Sequence, residues 1–252
     1  MKKLICFILF SIFCMGCREK APTIQFTTKT VDLSSQKNCH QENCTYVHLE
    51  IPIAWGSPII ANNINQTVFD FINKSVPFAT NNITKSYDSI ALRFIKQYDD
   101  VYQTYPENAL AWEANFKSTH SSISNKIYQI VIDYYLFTGG AHGLQAYKVF
   151  LLDLTTGKQV ATKELFLNYN GFVKYAENAF KKQLQIQTDL NSAGFNFENN
   201  KFKLAENFYK TNTHWVLYYN PYEIAPYVKG ATVIKLPLID VERFLNPLYF
   251  KR

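Results

Sequence analysis

The stretch from Ile127 to Phe137 constrains the fold of this chain more than any other segment. Apolar side chains occupy both of its alternating faces, with Tyr128, Ile130, Ile132, Tyr134 and Leu136 on one face and Ile127, Val131 and Tyr135 on the other. A strand that is apolar on both faces has no solvated side, so it lies within a sheet. The segment therefore predicts a central strand, which ends at the glycine-rich stretch from Thr138 to Gly143.

Alternation and helical periodicity place further elements around this strand. Segments 24–28, 47–53, 110–116, 147–151, 215–219 and 232–236 alternate like strands. Apolar residues at helical spacing predict helices from Pro58, over 84–102 and over 171–185, and a short one over 239–245. Ser57 before Pro58 is typical of a helix cap. We expect an α+β fold, mainly an antiparallel sheet with helices packed on it, whose two halves share one core.

The N-terminus has the pattern of an export signal. Lys2 and Lys3 precede an apolar run over 4–13, which is shorter than the roughly 20 residues of a membrane-spanning helix. Cys14-Met15-Gly16-Cys17 follows and resembles a bacterial lipobox, in which the last cysteine is acylated. The pattern predicts a signal peptide over 1–16, a lipidated tether over 17–23 and a membrane-anchored protein of the cell envelope, periplasmic or on the outer surface. An ordinary cleaved signal is the alternative.

Two cysteines remain beyond the anchor, at Cys39 and Cys44. They flank a short polar stretch, so a disulfide is the simpler interpretation, and it is chemically permitted outside the cytoplasm. The alternative is a zinc site in which both cysteines act with His40 and His48, although this spacing matches no standard site.

Charge and motif content narrow the function classes. The net charge of +6 falls to +4 without Lys2 and Lys3, and the basic residues form no run, which argues against nucleic-acid binding. The chain contains no nucleophile elbow, no His-Glu-x-x-His zinc motif and no P-loop, so no catalytic residue, metal ligand or cofactor follows from motifs.

Four landmarks carry a resemblance to a known family. Tyr134 to Gly143 resembles the YxYTGGAHG signature of a paired bacterial domain of unknown function, and Tyr218 to Gly230 resembles its FxPYEIAPYAxG signature. Segments 153–158 and 233–237 continue the match, which spans most of the chain beyond the tether. The same domain pair is similar to the extracellular part of RsiV-type anti-sigma factors, which bind lysozyme, and to the accessory module of PdaC-type peptidoglycan deacetylases.

The resemblance implies an envelope-facing module that binds or senses a ligand. It divides the chain into an N-terminal half over 24–157, which ends in the first signature and a hairpin, and a C-terminal half over 158–252 with the second signature. We expect a non-catalytic, lipid-anchored protein that binds a cell-wall glycan or an envelope protein such as lysozyme. The alternative is an envelope hydrolase that uses His142 with Glu223.

The signature loops supply the candidate site residues. Gly139, Gly140 and Gly143 permit a sharp turn, which either exposes N–H groups to an anion together with His142 or serves as a tight connection. In the second signature, Asn220-Pro221 is typical of a helix start, with Tyr222 and Glu223 in the first turn. We expect both signatures to meet at one end of the sheet, with Tyr222 or Glu223 bonded to His142.

Overall fold

The structure is a computed structural model that describes residues 24–37, 39, 44–77, 85–107 and 109–250. The predicted signal peptide, the tether with Cys17, and His40 lie outside the described residues. Within the described ranges, no helix is long and apolar enough to cross a membrane.

A five-stranded sheet forms the centre of the molecule. Its strands lie side by side in chain order: β1 Gln25–Ser34, β2 Tyr46–Trp55, β3 Glu113–Ser122, β4 Ile127–Phe137 and β5 Leu144–Asp153. Only β2 and β3 pair in parallel, because the chain between them crosses over through two helices. β4 pairs with β3 on one side and with β5 on the other, so it lies within the sheet, as its two apolar faces predict.

Two helices cover one face of this sheet: α1 over Pro58–Ser75 and α2 over Tyr87–Thr104. Their apolar stripes bury Ile64, Val68, Phe94 and Tyr98 completely. The predicted cap of α1 does not form, because the Ser57 side chain makes no capping hydrogen bond.

The C-terminal half builds a second, smaller sheet. Its elements are α3 Tyr169–Gln183, β6 Asn207–Lys210, β7 His214–Tyr219, β8 Thr232–Pro237 and α4 Leu238–Val241, and the last is extended by a short 3₁₀ turn. The three strands pair antiparallel in the order β6-β7-β8. The α+β class is confirmed.

The hydrophobic core is divided between the two faces of the five-stranded sheet. From β4, Ile130 and Ile132 point into the cluster beneath α1 and α2, whereas Ile127 and Val131 point into the cluster of the C-terminal half. The halves therefore share a sheet, one face each, and not the single core expected from the sequence, because alternation along β4 sends successive side chains to opposite sides.

Side-chain amides join the halves along β4 and β5. Asn220 accepts a hydrogen bond from the Tyr147 N–H at 2.8 Å and donates one to the Tyr147 carbonyl at 2.9 Å. Asn207 accepts one from the Val149 N–H at 2.9 Å. β5 is the last strand of its sheet, so these amides pair backbone groups that no neighbouring strand pairs. We call Asn207 and Asn220 the amide clamps.

Candidate functional site

The first signature forms the connection between β4 and β5. Gly139 adopts a φ of +84°, and a side chain there would also press on the Trp112 indole nitrogen at 3.2 Å. Gly143 is required for packing, because a Cβ at this position would overlap the ring of Tyr135. Gly140 has no atom within 4 Å of an added Cβ and no positive φ, so the expectation that both adjacent glycines turn the chain holds only for Gly139.

The second signature forms a turn after β7. The predicted helix start at Asn220-Pro221 is wrong, because Tyr222 adopts a φ of +70° and the chain makes a turn there before a short 3₁₀ segment over Tyr227–Lys229. The left-handed conformation is unfavourable for any residue that carries a Cβ, so surrounding contacts must stabilise Tyr222 in it. Those contacts come from Tyr222's neighbour Glu223 and from the first signature.

The two signatures meet at His142, and we call His142, Tyr222 and Tyr227 the aromatic cluster. The ring of Tyr227 stacks on His142, with centroids 3.8 Å apart and planes inclined by 14°. The Tyr227 hydroxyl donates to the Gly143 carbonyl at 2.7 Å, and the Tyr222 hydroxyl lies 3.3 Å from His142 Nε2. The sequence predicts Tyr222 as a possible partner of His142 but gives no signal for Tyr227.

Hydrogen bonding assigns a tautomer to His142. Its Nδ1 lies 3.1 Å from the Gly143 carbonyl, which can only accept, so Nδ1 carries the proton. In the neutral ring Nε2 is then an acceptor, and the Tyr222 hydroxyl donates to it. Both ring nitrogens are therefore engaged by uncharged groups.

Glu223 serves the backbone and not the histidine. One of its carboxylate oxygens accepts from the Glu206 N–H and the other from the Asn220 N–H, each at 2.8 Å. Burial raises the pKa of Glu223, and these two hydrogen bonds lower it in part. The pairing of His142 with Glu223 that a hydrolase would need is thus not formed, because Glu223 holds the turn that positions Tyr222.

The cysteine-rich loop is closed by a disulfide. Cys39 is bonded to Cys44, which removes both sulfurs as metal ligands. His48 lies on β2, where its Nδ1 is 2.6 Å from an Asp32 carboxylate oxygen. The alternative zinc site is therefore not built, and the described part of the chain contains no group of three His, Cys, Asp or Glu side chains placed to hold a metal ion.

Family models match both halves of the chain. The model described as deacetylase PdaC matches residues 39–145, which hold β2, β3, β4 and the first signature but not β1. The model described as a protein of unknown function, DUF3298, matches residues 163–238, which hold the second signature. Residues 39–145 are thus similar to the PdaC model, and residues 163–238 are similar to the DUF3298 model. This combination indicates an envelope-related protein.

Solved structures have the same fold. A member of the DUF3298 family from Bacteroides fragilis aligns with a TM-score of 0.67 at 19% identity, over 90% of this chain and 96% of that one. A DUF3298 family protein from Pseudomonas aeruginosa aligns with a TM-score of 0.64 at 17% identity, over 92% of this chain and 99% of that one. No curated protein matches the sequence.

Proposed function

We propose that this protein is a non-catalytic, lipid-anchored envelope protein that binds a cell-wall glycan or an envelope protein such as lysozyme. The observation that carries the proposal is the aromatic cluster, because it joins the two signatures in one surface whose polar groups are already committed to structure. A hydrolytic site needs a base that is free to take a proton. Here His142 Nε2 faces the Tyr222 hydroxyl, and the Glu223 carboxylate faces two backbone N–H groups.

The exposed surface of the cluster supports binding. Tyr222 is 61% exposed although its backbone is held at positive φ, and Val228, which follows Tyr227 in the chain, is 92% exposed. Tyrosines that present both a ring and a hydroxyl are enriched in protein interfaces. A fixed, exposed ring loses little conformational entropy when a partner covers it.

Retention on two matrices tests this proposal. We expect the full chain to be retained on peptidoglycan fragments or on immobilised lysozyme at low salt, and Tyr222→Ala to be retained less. Tyr105→Ala is the matched control, because Tyr105 is 63% exposed and lies at the end of α2, outside both signatures. Absence of wild-type retention on both matrices contradicts the proposal, and release of soluble fragments from peptidoglycan contradicts its non-catalytic part.

The lipid anchor rests on the sequence pattern at Cys17. A fatty acid with a clickable tag should label the wild type and leave Cys17→Ser unlabelled. Equal labelling of both chains would remove the anchor from the proposed function while leaving the binding proposal intact.

A further inference from the structure

A groove lies between the five-stranded sheet and β6 of the C-terminal half. Its volume is about 360 Å³. We call it the tyrosine groove and define it by residues from β3, β4, β5 and β6 with the turn after β6: Lys117, Thr119, Asp133, Tyr147, Tyr209 and Thr211. The register of the sheet places Lys117 directly opposite Asp133, and Asp133 directly opposite Tyr147.

The walls of the groove are fixed before any ligand arrives. Gln129 is only 5% exposed and lines the groove, where its amide accepts from the Lys210 N–H at 2.6 Å and donates to the Lys210 carbonyl at 3.0 Å. Asn220 holds the backbone of Tyr147, another lining residue, through the two bonds of its amide clamp. Binding to a preorganised groove avoids the entropic cost of ordering its side chains.

Two tyrosines provide an aromatic wall. The ring of Tyr147 is supported from behind by Tyr218, with centroids 4.2 Å apart and planes inclined by 9°. Tyr209 lies 6.4 Å from Tyr147 and is inclined by 39° to it. Burial raises the pKa of Tyr209 and Tyr147, so both hydroxyls remain neutral hydrogen-bonding groups at physiological pH.

The two charged groups of the groove, Lys117 and Asp133, lie on neighbouring strands but do not form an ion pair with each other. Among the described residues no ion pair joins Asp133 to Lys117, although they face each other across neighbouring strands. The Asp133 carboxylate accepts from the Gln145 amide and keeps further acceptor capacity, and the Lys117 ammonium is an exposed donor. The groove thus offers a ring surface, an anionic acceptor and a cationic donor within one small volume.

We infer that the tyrosine groove binds one sugar unit of a glycan. Ligand pockets of about 300–1,000 Å³ hold small molecules, and the groove falls in this range. A sugar has an apolar C–H face that packs on aromatic rings and hydroxyls that donate to a carboxylate and accept from an ammonium. A phosphate would be repelled by Asp133, and a purely apolar ligand would leave both charges desolvated and unpaired. The inference rests on the proposed function and adds to it a site that contains no residue of the aromatic cluster, with a glycan as its class of ligand.

Calorimetry with a defined oligosaccharide tests the inference. The probe is the β-1,4-linked tetramer of N-acetylglucosamine, titrated into the full chain. We expect binding that weakens at least tenfold in Tyr209→Ala and in Asp133→Asn, which removes the charge but keeps an acceptor for Gln145. Glu50→Gln is the matched control, because Glu50 lies opposite Lys117 on β2, on the side away from Asp133 and outside the groove. Glu50→Gln should bind the tetramer with the same affinity as the wild type.

The outcomes separate the groove from the proposed function. If the wild type does not bind the tetramer, or if Asp133→Asn and Tyr209→Ala bind it like the wild type with unchanged melting temperatures, the groove inference is overturned. If peptidoglycan or lysozyme still retains the chain in that case, the proposed function survives. Loss of retention on both matrices removes the proposed function as well.

Discussion

Replacing Asn220 with alanine tests how the two halves are held together. The Asn220 amide is bonded to both the N–H and the carbonyl of Tyr147, 73 residues earlier in the chain. Alanine lacks the amide oxygen and nitrogen of Asn220, so the Tyr147 N–H and carbonyl on the edge of β5 lose both hydrogen bonds. No strand replaces the clamp, because β5 is the last strand of its sheet.

The expected magnitude follows from these two hydrogen bonds. A neutral hydrogen bond contributes about 1 kcal/mol to folding, so the variant should lose about 2 kcal/mol in its free energy of unfolding. Partial exposure of Asn220 and Tyr147 lets water replace some of this pairing, which argues against a larger loss. For a domain of this size the melting temperature should fall by about 4–8 °C.

Equilibrium urea unfolding measures this loss. Asn62→Ala is the matched control, because Asn62 is exposed on α1 and makes the same chemical change; it should stay within about 0.5 kcal/mol of the wild type. The free energy of unfolding of Asn220→Asp should lie between those of Asn220→Ala and Asn62→Ala, because aspartate keeps the acceptor for the Tyr147 N–H and loses the donor to the Tyr147 carbonyl. If Asn220→Ala unfolds within about 0.5 kcal/mol of the wild type, the clamp does not hold the halves together.

Two further predictions concern residues of the two signatures. Gly143→Ala should destabilise the protein by about 1–3 kcal/mol, because the new Cβ overlaps the ring of Tyr135, whereas Gly140→Ala should be near neutral because its surroundings are open; equal melting temperatures for the two variants would contradict this. Burial, and then the charges of Tyr147, Asp133 and Tyr209, raises the pKa of Tyr218 from 10.0 to about 12, so its contribution to stability is present below pH 10 and is lost as the pH rises toward 12. Tyr218→Phe should therefore show a smaller fall in melting temperature between pH 10 and pH 12 than the wild type, and parallel pH profiles would refute the assignment.

Local pattern was enough to predict most of the strands, but β6 was missed. β6 has only four residues and begins with Asn207, a polar residue that is 1% exposed. Alternation identifies a strand by its apolar side chains, so a buried asparagine hides the pattern. The burial of Asn207 is explained by Val149, because the Asn207 side chain accepts a hydrogen bond from the Val149 N–H.

The candidate site shows the same limit at the level of single contacts. The two signatures predict that their loops meet, but they do not distinguish Tyr222 from Glu223 as the partner of His142. The structure separates them, because the turn at Tyr222 directs Glu223 toward the Glu206 and Asn220 N–H groups. A local turn signal cannot specify which of two adjacent side chains faces a loop 80 residues away.

The sequence by itself determined that the segment Ile127–Phe137 is an interior strand, because a period of two with apolar residues on both faces has no other stable placement. It also indicated several of the turns, because glycine adopts backbone conformations that other residues avoid and proline fixes its own φ. Only the tertiary structure decided that the faces of β4 belong to two separate cores, and that amide clamps instead of another strand pair the outer edge of β5 at Tyr147 and Val149. Those features depend on contacts between residues far apart in the chain, whose free energy no local pattern contains.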